Sequence, residues 1–279
     1  MKATKECYPC LQRLIYQAAQ LATSDKELQA RAVTEGLRIL EQGFSCDQVS
    51  IIIATELHRA IREITGNDDP YREMKERETI VAKELYREIS AENFDDFRNC
   101  LELAARANAL DFFRPLDTVK EDMKKPLRFA IDHSGQFEVK LRAADRVLYL
   151  ADNAGEALLD LPLITLMEQW TQVIYVVKAS PVQNDITLED LRGAGIEDKL
   201  GRVITTGTAT PGIDFSQASR EFKQEFQSAD LVFAKGMGYW ESLSELPARG
   251  KVFYCLLAKC KPVADSLRVP LDSYVALLR

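Results

Sequence analysis

Five short loops in the second half of the chain collect carboxylates, amides, lysines and small residues. Asp152-Asn153-Ala154-Gly155-Glu156 follows the apolar run 146–151, and Lys178-Ala179-Ser180-Pro181-Val182-Gln183-Asn184-Asp185 follows Val173–Val177. Gly207-Thr208-Ala209-Thr210-Pro211-Gly212 comes after 202–206, Lys235-Gly236-Met237-Gly238 after 230–234, and Lys259-Cys260-Lys261-Pro262 after Val252–Leu257. Asp152 and Asp185 offer hard oxygen donors, and the Asn153 amide oxygen adds a third. Such a set suits Mg²⁺ or Mn²⁺, cations that keep waters and share a phosphate. Lys235 has the charge to neutralise phosphate oxygens, and backbone N–H groups around Gly236 and Gly238 can cradle them. Plainer readings stand beside these. Asp152 and Asn153 suit a helix cap, Asp185 suits the cap of a helix beginning near Leu188, and Lys235 suits a solvated strand end. Glu156 and Asp160 lie four apart on one helix face, where Asp160 reads as solvated or structural.

The loops need elements to hold them. The five runs before them are short and β-rich, and helical stretches (156–169, Leu188–Ala194, 216–228) alternate with them. That alternation predicts βαβ units and a mostly parallel sheet covered on both faces. Ligands of such sheets bind outside the carboxyl ends of the strands, which is where all five loops fall. Up to about residue 130 the periodicity is helical instead. Leu11, Leu14, Ile15, Ala18 and Leu21 mark one helix, and Ser24-Asp25 caps a second that runs to Gly43. Asp47 is placed to cap a third, with Val49, Ile52, Ile53, Leu57, Ile61 and Ile64 on its buried stripe. After the turn Gly66-Asn67-Asp68-Asp69-Pro70, a fourth carries Arg72, Glu73, Lys75, Glu76, Arg77 and Glu78, a charge run that reads as a solvated face or the border of a cleft. A fifth is expected from about Phe94 to Ala107. The expected architecture is α/β: a helical domain over residues 1–130, then a Rossmann-like, doubly wound domain over 131–279 that carries the cation and phosphate site.

Composition narrows the function. The 279 residues include 36 Lys and Arg against 43 Asp and Glu, a net charge of −7. Acidity without a basic block argues against nucleic acid as a partner. No apolar run reaches the ~18 residues of a membrane span and no signal-peptide core opens the chain, so a cytoplasmic protein is expected. The sequence does not set the oligomeric state. With only His58 and His133, a three-histidine zinc site is excluded, and there is no H-E-x-x-H, P-loop or G-x-S-x-G elbow. Gly236-x-Gly238 lacks the third glycine of a dinucleotide fingerprint. His133 reads as a loop residue and His58 as structural. Six cysteines spread over a long chain do not read as a disulfide scaffold. Cys7-x-x-Cys10 lies on adjacent turns of the first helix, with helix packing, a redox pair or an accessory metal site all open to it, and Cys255 reads as core.

Taken in order, D-N-A-G-E after one strand, N-D-x-T after the next, T-P-G in the third loop and K-G-x-G followed by Glu241 resemble the metal-dependent damage-control phosphatases, long catalogued as domain of unknown function 89. Cys7-x-x-Cys10, Gly66–Tyr71 and Lys259-Cys260 are similar to its compact prokaryotic branch. The resemblance implies a divalent cation (Mg²⁺, Mn²⁺, Co²⁺ or Ni²⁺) held by Asp152, Asn153 and Asp185, and hydrolysis of small phosphorylated metabolites such as sugar phosphates or damaged phosphopantetheine. Asp152, Asp185 and Lys235 would be catalytic. Glu156, Asn184, Lys235, Gly236, Gly238 and Tyr239 would face the substrate. Tyr239 is a departure, standing where the family commonly has Asn; if it lines the site, the pocket is tighter and more apolar. The rival readings are S-adenosylmethionine-dependent carboxyl methyl transfer, an activity proposed within the wider family, and a non-catalytic sensor of the same phosphorylated ligands.

Overall fold

A computed structural model describes residues 1–89, 96–109, 117, 118, 121, 125–247 and 249–279. Helices α1 (Cys7–Ala22), α2 (Lys26–Gly43) and α3 (Ser50–Thr65) bury their facing apolar stripes, Leu11, Leu14, Ile15 and Ala18 against Ala32, Leu40, Ile53, Leu57 and Ile61. The Asp25 carboxylate caps α2 by accepting from the backbone N–H of Glu27 and Leu28. The start of α3 has no such cap: Val49, not Asp47, precedes its first turn. Gly66, in the left-handed region at φ 67°, ends it. Then come α4 (Arg72–Ile89) and α5 (Phe97–Ala107), the latter capped by Asp96. The expected start of α5 at Phe94 lies outside the described residues. Cys7 opens α1 and Cys10 sits one turn on; both thiols are free.

Strands and helices then alternate: β1 (Phe129–Asp132), α6 (Ser134–Leu141), β2 (Arg146–Leu150), a 3₁₀ turn (Ala154–Glu156) leading into α7 (Ala157–Glu168), and β3 (Gln172–Val177). Next are α8 (Leu188–Ala194), β4 (Arg202–Thr205), α9 (Arg220–Ser228), β5 (Leu231–Lys235), α10 (Met237–Leu243), β6 (Val252–Leu257), α11 (Lys261–Leu267) and β7 (Tyr274–Leu278). The seven strands form one sheet in the order β1-β7-β6-β5-β2-β3-β4, parallel except where β7 meets β6. The α/β sheet expected from the sequence is therefore present, and two strands are added to the five read there. His133 immediately precedes α6 and accepts a hydrogen bond on Nδ1 from the Leu278 N–H.

Residue alternation along the strands sorts the core into two layers. Tyr149, Tyr175, Phe233, Phe253 and Cys255 pack on one face with α4, α5, α6 and α7. Leu148, Leu150, Ile174, Val176, Val232 and Tyr254 pack on the other, against α9, α10 and α11. The chain winds from β2 through β3 to β4 on one side, then returns to build β5 and β6 on the other side of β2. The crevice of an open sheet lies at this reversal, between the ends of β2 and β5.

Helix α4 comes close to that crevice because Gly155 has no side chain. A Cβ there would lie 2.8 Å from Glu78 Cβ and 3.3 Å from the Glu78 carbonyl carbon. Gly155→Ala should push α4 off the β2 loop at a cost of about 1–3 kcal/mol, as overpacked sites do. Urea unfolding checks this: a lowered midpoint at constant slope is expected, and an unchanged midpoint contradicts the close approach.

Candidate active site

The loops after β2 and β3 are joined by main chain before any side chain acts. Ala154 N–H donates to the Asn184 carbonyl at 2.8 Å, and Ile186 N–H donates to the Asp152 carbonyl at 2.8 Å. The resulting antiparallel bridge pairs Asn153 with Asp185, which brings Asp152, Asn153 and Asp185 together. None of them caps a helix. The turn after Asn153 has no side-chain cap, and α8 is capped by Thr187, whose hydroxyl accepts from Asp190 N–H. Asp152 Oδ2 accepts from Asn108 Nδ2 at 2.9 Å and from Asn153 Nδ2 at 3.3 Å. Both amides also donate to Glu156 Oε1, at 2.9 and 2.5 Å, and Asn108 Oδ1 accepts from Leu257 N–H at 2.9 Å.

Two fully buried lysines stand behind these carboxylates. Lys235 Nζ pairs with Glu156 Oε2, with Asp160 Oδ1 at 2.7 Å and with the Ala104 carbonyl at 2.8 Å. Two hydrogen bonds and an ion pair thus surround the ammonium. Lys235 is therefore neither a solvated strand end nor turned to the open rim, and Asp160, fully buried, is its structural counter-ion. Lys178 Nζ donates to the Gly212 carbonyl at 2.6 Å and to Tyr239 Oη at 3.0 Å, and lies 3.3 Å from Asp185 Oδ2. Tyr239 is buried among the side chains under the sheet, so its ring does not line the rim.

Charge is not balanced. Asp152, Glu156, Asp160 and Asp185 face two ammonium groups, and buried charge must be paired or bound to a cation. Burial, then Glu156, then Asp185 push the Asp152 carboxyl well above the usual carboxylate range, with Lys259 opposing. Burial also pushes Asp185 up to about 6, against the pull of Lys178. Asp185 Oδ2 is buried without a hydrogen bond of proper geometry. Among the described residues no three acidic, thiol or imidazole side chains converge on one point; the donor set is two carboxylates and an amide. Hard oxygen donors, excess negative charge and an unsatisfied buried oxygen fit a hard divalent cation.

Glycines shape the rim by permitting close approach. Gly236, at φ 81°, passes so near Asp152 that a Cβ would lie 1.9 Å from Oδ2. Its own N–H is spent on the Cys255 carbonyl at 3.0 Å, so it is not part of a phosphate cradle. Gly212, at φ 71°, abuts the Gly238 carbonyl, which a Cβ would meet at 2.1 Å.

Sequence reading passed over two groups from the helical half. Glu78 on α4 is buried and accepts from Asn184 Nδ2 at 3.1 and 3.0 Å, so Asn184 is turned toward α4. Asn108 follows the last turn of α5. The charge run of α4 did carry a signal. Lys75 and Glu78, one turn apart, are both buried, and Lys75 bridges Asp69 at 2.8 Å and Asp190 at 2.9 Å. That pair of contacts fastens the 66–71 turn to the start of α8.

Asp160 gives the site a measurable pH signature. Burial raises its carboxyl to about 6 from an ordinary 3.8, with Lys235 opposing. The folded state thus keeps a proton that the unfolded chain releases. This contribution is full below about pH 4 and is lost as pH rises through about 6. In cation-free protein, the stability of wild type relative to Asp160→Asn should fall by on the order of 2 kcal/mol between pH 4 and pH 7. Urea titrations at both pH values check it, and a pH-independent difference contradicts it.

Residues 3–275 match the family described as the damage-control phosphatase ARMT1-like domain. The chain is 33% identical over 284 residues to damage-control phosphatase PH1575 of Pyrococcus horikoshii, covering 99% of this chain and 98% of that one. It is 30% identical over 285 residues to a damage-control phosphatase of Archaeoglobus fulgidus, covering 99% of each. The crystal structure of PH1575, described as a DUF89 family protein, superposes with a TM-score of 0.91 at 31% identity, over 100% of this chain and 99% of that one. Sequence pattern, sheet order and these full-length likenesses together place the chain in the damage-control phosphatase (DUF89) family.

Proposed function

We propose that this protein hydrolyses phosphate from small phosphorylated metabolites, sugar phosphates or phosphopantetheine-type side-products, with a divalent cation. One observation carries the reading: the loops bearing Asp152 and Asp185, at the carboxyl ends of β2 and β3, are locked together by the Asn153–Asp185 bridge, within a buried surplus of negative charge. The names of the P. horikoshii and A. fulgidus relatives support hydrolysis. Asp152, Asn153 and Asp185 would hold the cation. When bound, it supplies charge neutralisation and polarises the phosphoryl group for attack by water.

The chain's own groups prepare that encounter. Asn108 and Asn153 fix Glu156 and Asp152 in one hydrogen-bonded unit, and Lys235 holds Glu156 from below. Lys259, whose charge acts on Asp152 from the rim, is the lysine we assign to the substrate phosphate. Residues 131–279 would carry the cation and phosphate, while residues 1–130 lend Asn108 and Glu78 to the wall. Hydrolysis would add one water across the P–O ester bond, giving inorganic phosphate and the alcohol. Methyl transfer from S-adenosylmethionine has no need of an anionic pocket of this kind.

Phosphate release from a panel of sugar phosphates and phosphopantetheine derivatives, with each divalent cation and with EDTA, tests the proposal. Asp152→Asn and Asp185→Asn should each lower kcat/KM by more than about 100-fold (~2.7 kcal/mol) in folded protein. Full activity in EDTA, or near-wild-type rates in both variants, would remove the reading.

A further inference from the structure

Lys178 is the other buried ammonium, and its surroundings set it apart from a packing residue. It leaves β3 at the sheet's edge of the crevice, its N–H donating to the Ile186 carbonyl at 2.9 Å, so its backbone is fixed against the segment that carries Asp185. The side chain is wholly buried, and Nζ reaches two loops and the first turn of α10. It meets Asp185 after β3, the Gly212 carbonyl after β4, and the Tyr239 hydroxyl after β5. The Tyr239 ring lies beneath it, 4.3 Å from ring centre to Nζ.

Burying an ammonium is costly, and an apolar side chain of similar volume would fill the same space at less cost. The compensation here is specific. Two donors of Lys178 reach the Gly212 carbonyl and the Tyr239 hydroxyl, and Asp185 is its carboxylate ion-pair partner at 3.3 Å. Gly212 and Gly238 touch backbone to backbone just beyond, so the Gly212 carbonyl has little room to retreat.

We infer that Lys178, backed by the Tyr239 hydroxyl, is a positioning residue that holds the Asp185 carboxylate in place for the cation. The inference rests on the proposed role of Asp185 as a cation ligand. It also gives the unusual Tyr239 a task one contact removed from the rim: it completes the ligand set of Lys178. Groups that orient a metal ligand from behind typically contribute 10–100-fold to metal affinity or activity.

The test uses the full chain, Mn²⁺ as probe and three readouts: calorimetric Mn²⁺ binding, Mn²⁺-supported hydrolysis of p-nitrophenyl phosphate, and thermal unfolding. Lys178→Met should weaken Mn²⁺ binding at least tenfold, and Tyr239→Phe should weaken it two- to fivefold. In the Lys178→Met background, Asp185→Asn should add much less than it does in wild type, because the two act through one carboxylate. A lowered melting temperature with unchanged or tighter Mn²⁺ binding would show that Lys178 only packs, and would overturn the inference. Should Lys178→Met fail to fold, Tyr239→Phe decides by the same criterion. Wild type that binds Mn²⁺ without hydrolysing any ester would defeat the proposed function and leave this inference standing; wild type that binds no Mn²⁺ defeats both.

Discussion

The approach of the Asp152 and Asp185 carboxylates, on loops joined by the Asn153–Asp185 bridge, is the constraint around which the rest of the structure is arranged. Two carboxylates brought together in a low-dielectric setting repel one another, and each loses hydration. Left alone, this arrangement would open the β2 and β3 loops. It is held by main-chain hydrogen bonds between Ala154 and Asn184 and between Ile186 and Asp152, which do not depend on charge. The side chains then reduce the electrostatic cost in stages. Amide N–H groups of Asn108 and Asn153 face Asp152, Lys178 faces Asp185, and Lys235 takes up Glu156 and Asp160. What remains after these compensations is negative, and in the proposed reading it is the cation that removes it.

Both halves of the chain contribute to that compensation, and glycine makes their contact tight. Gly155 admits α4, and α4 brings Glu78 onto Asn184. Gly236 admits the start of α10 beside Asp152. Replacing either glycine inserts a methyl group into a space already filled, so the contacts that shape the rim are also contacts that hold the helical layer to the sheet. Asn108 shows the same economy: one side chain joins the end of α5, the β2 loop and β6.

What the sequence made legible follows from the range over which each signal acts. β2, β3, β5 and β6 are buried on both faces, and their unbroken apolar runs announced them. β1 and β7 did not announce themselves. β1 is four residues long with alternating exposure, and β7 is only partly buried, so neither run looked apolar throughout. Asp152, Asn153 and Asp185 were legible because strand ends in parallel sheets converge whatever the details. The directions of Lys235, Lys178, Asn184 and Tyr239 were not, since position along a strand or helix does not reveal which loop a long side chain will meet. Glu78 and Asn108 reach the site across more than 40 residues of sequence in each pairing, a separation at which local periodicity is silent.

The same distinction bears on how lysines divide their work in this fold. A lysine aimed at a mobile phosphate benefits from partial hydration and free torsions, because it must accommodate arrival and departure. Lys178 and Lys235 have neither: each is buried, and each is held by two hydrogen bonds and an ion pair to a further carboxylate. Rigid ammonium groups of that sort are suited to holding carboxylates, whose positions must not change as ligands come and go. Removing such a support leaves an unpaired buried carboxylate, a loss of about 3–5 kcal/mol that is larger than any surface ion pair supplies. In the proposed reading, positive charge that meets substrate comes from elsewhere on the rim, from the half-buried Lys259 and from the cation. In this family member the lysine of K-G-x-G is thus buried behind the rim, where it holds Glu156 and Asp160 in place.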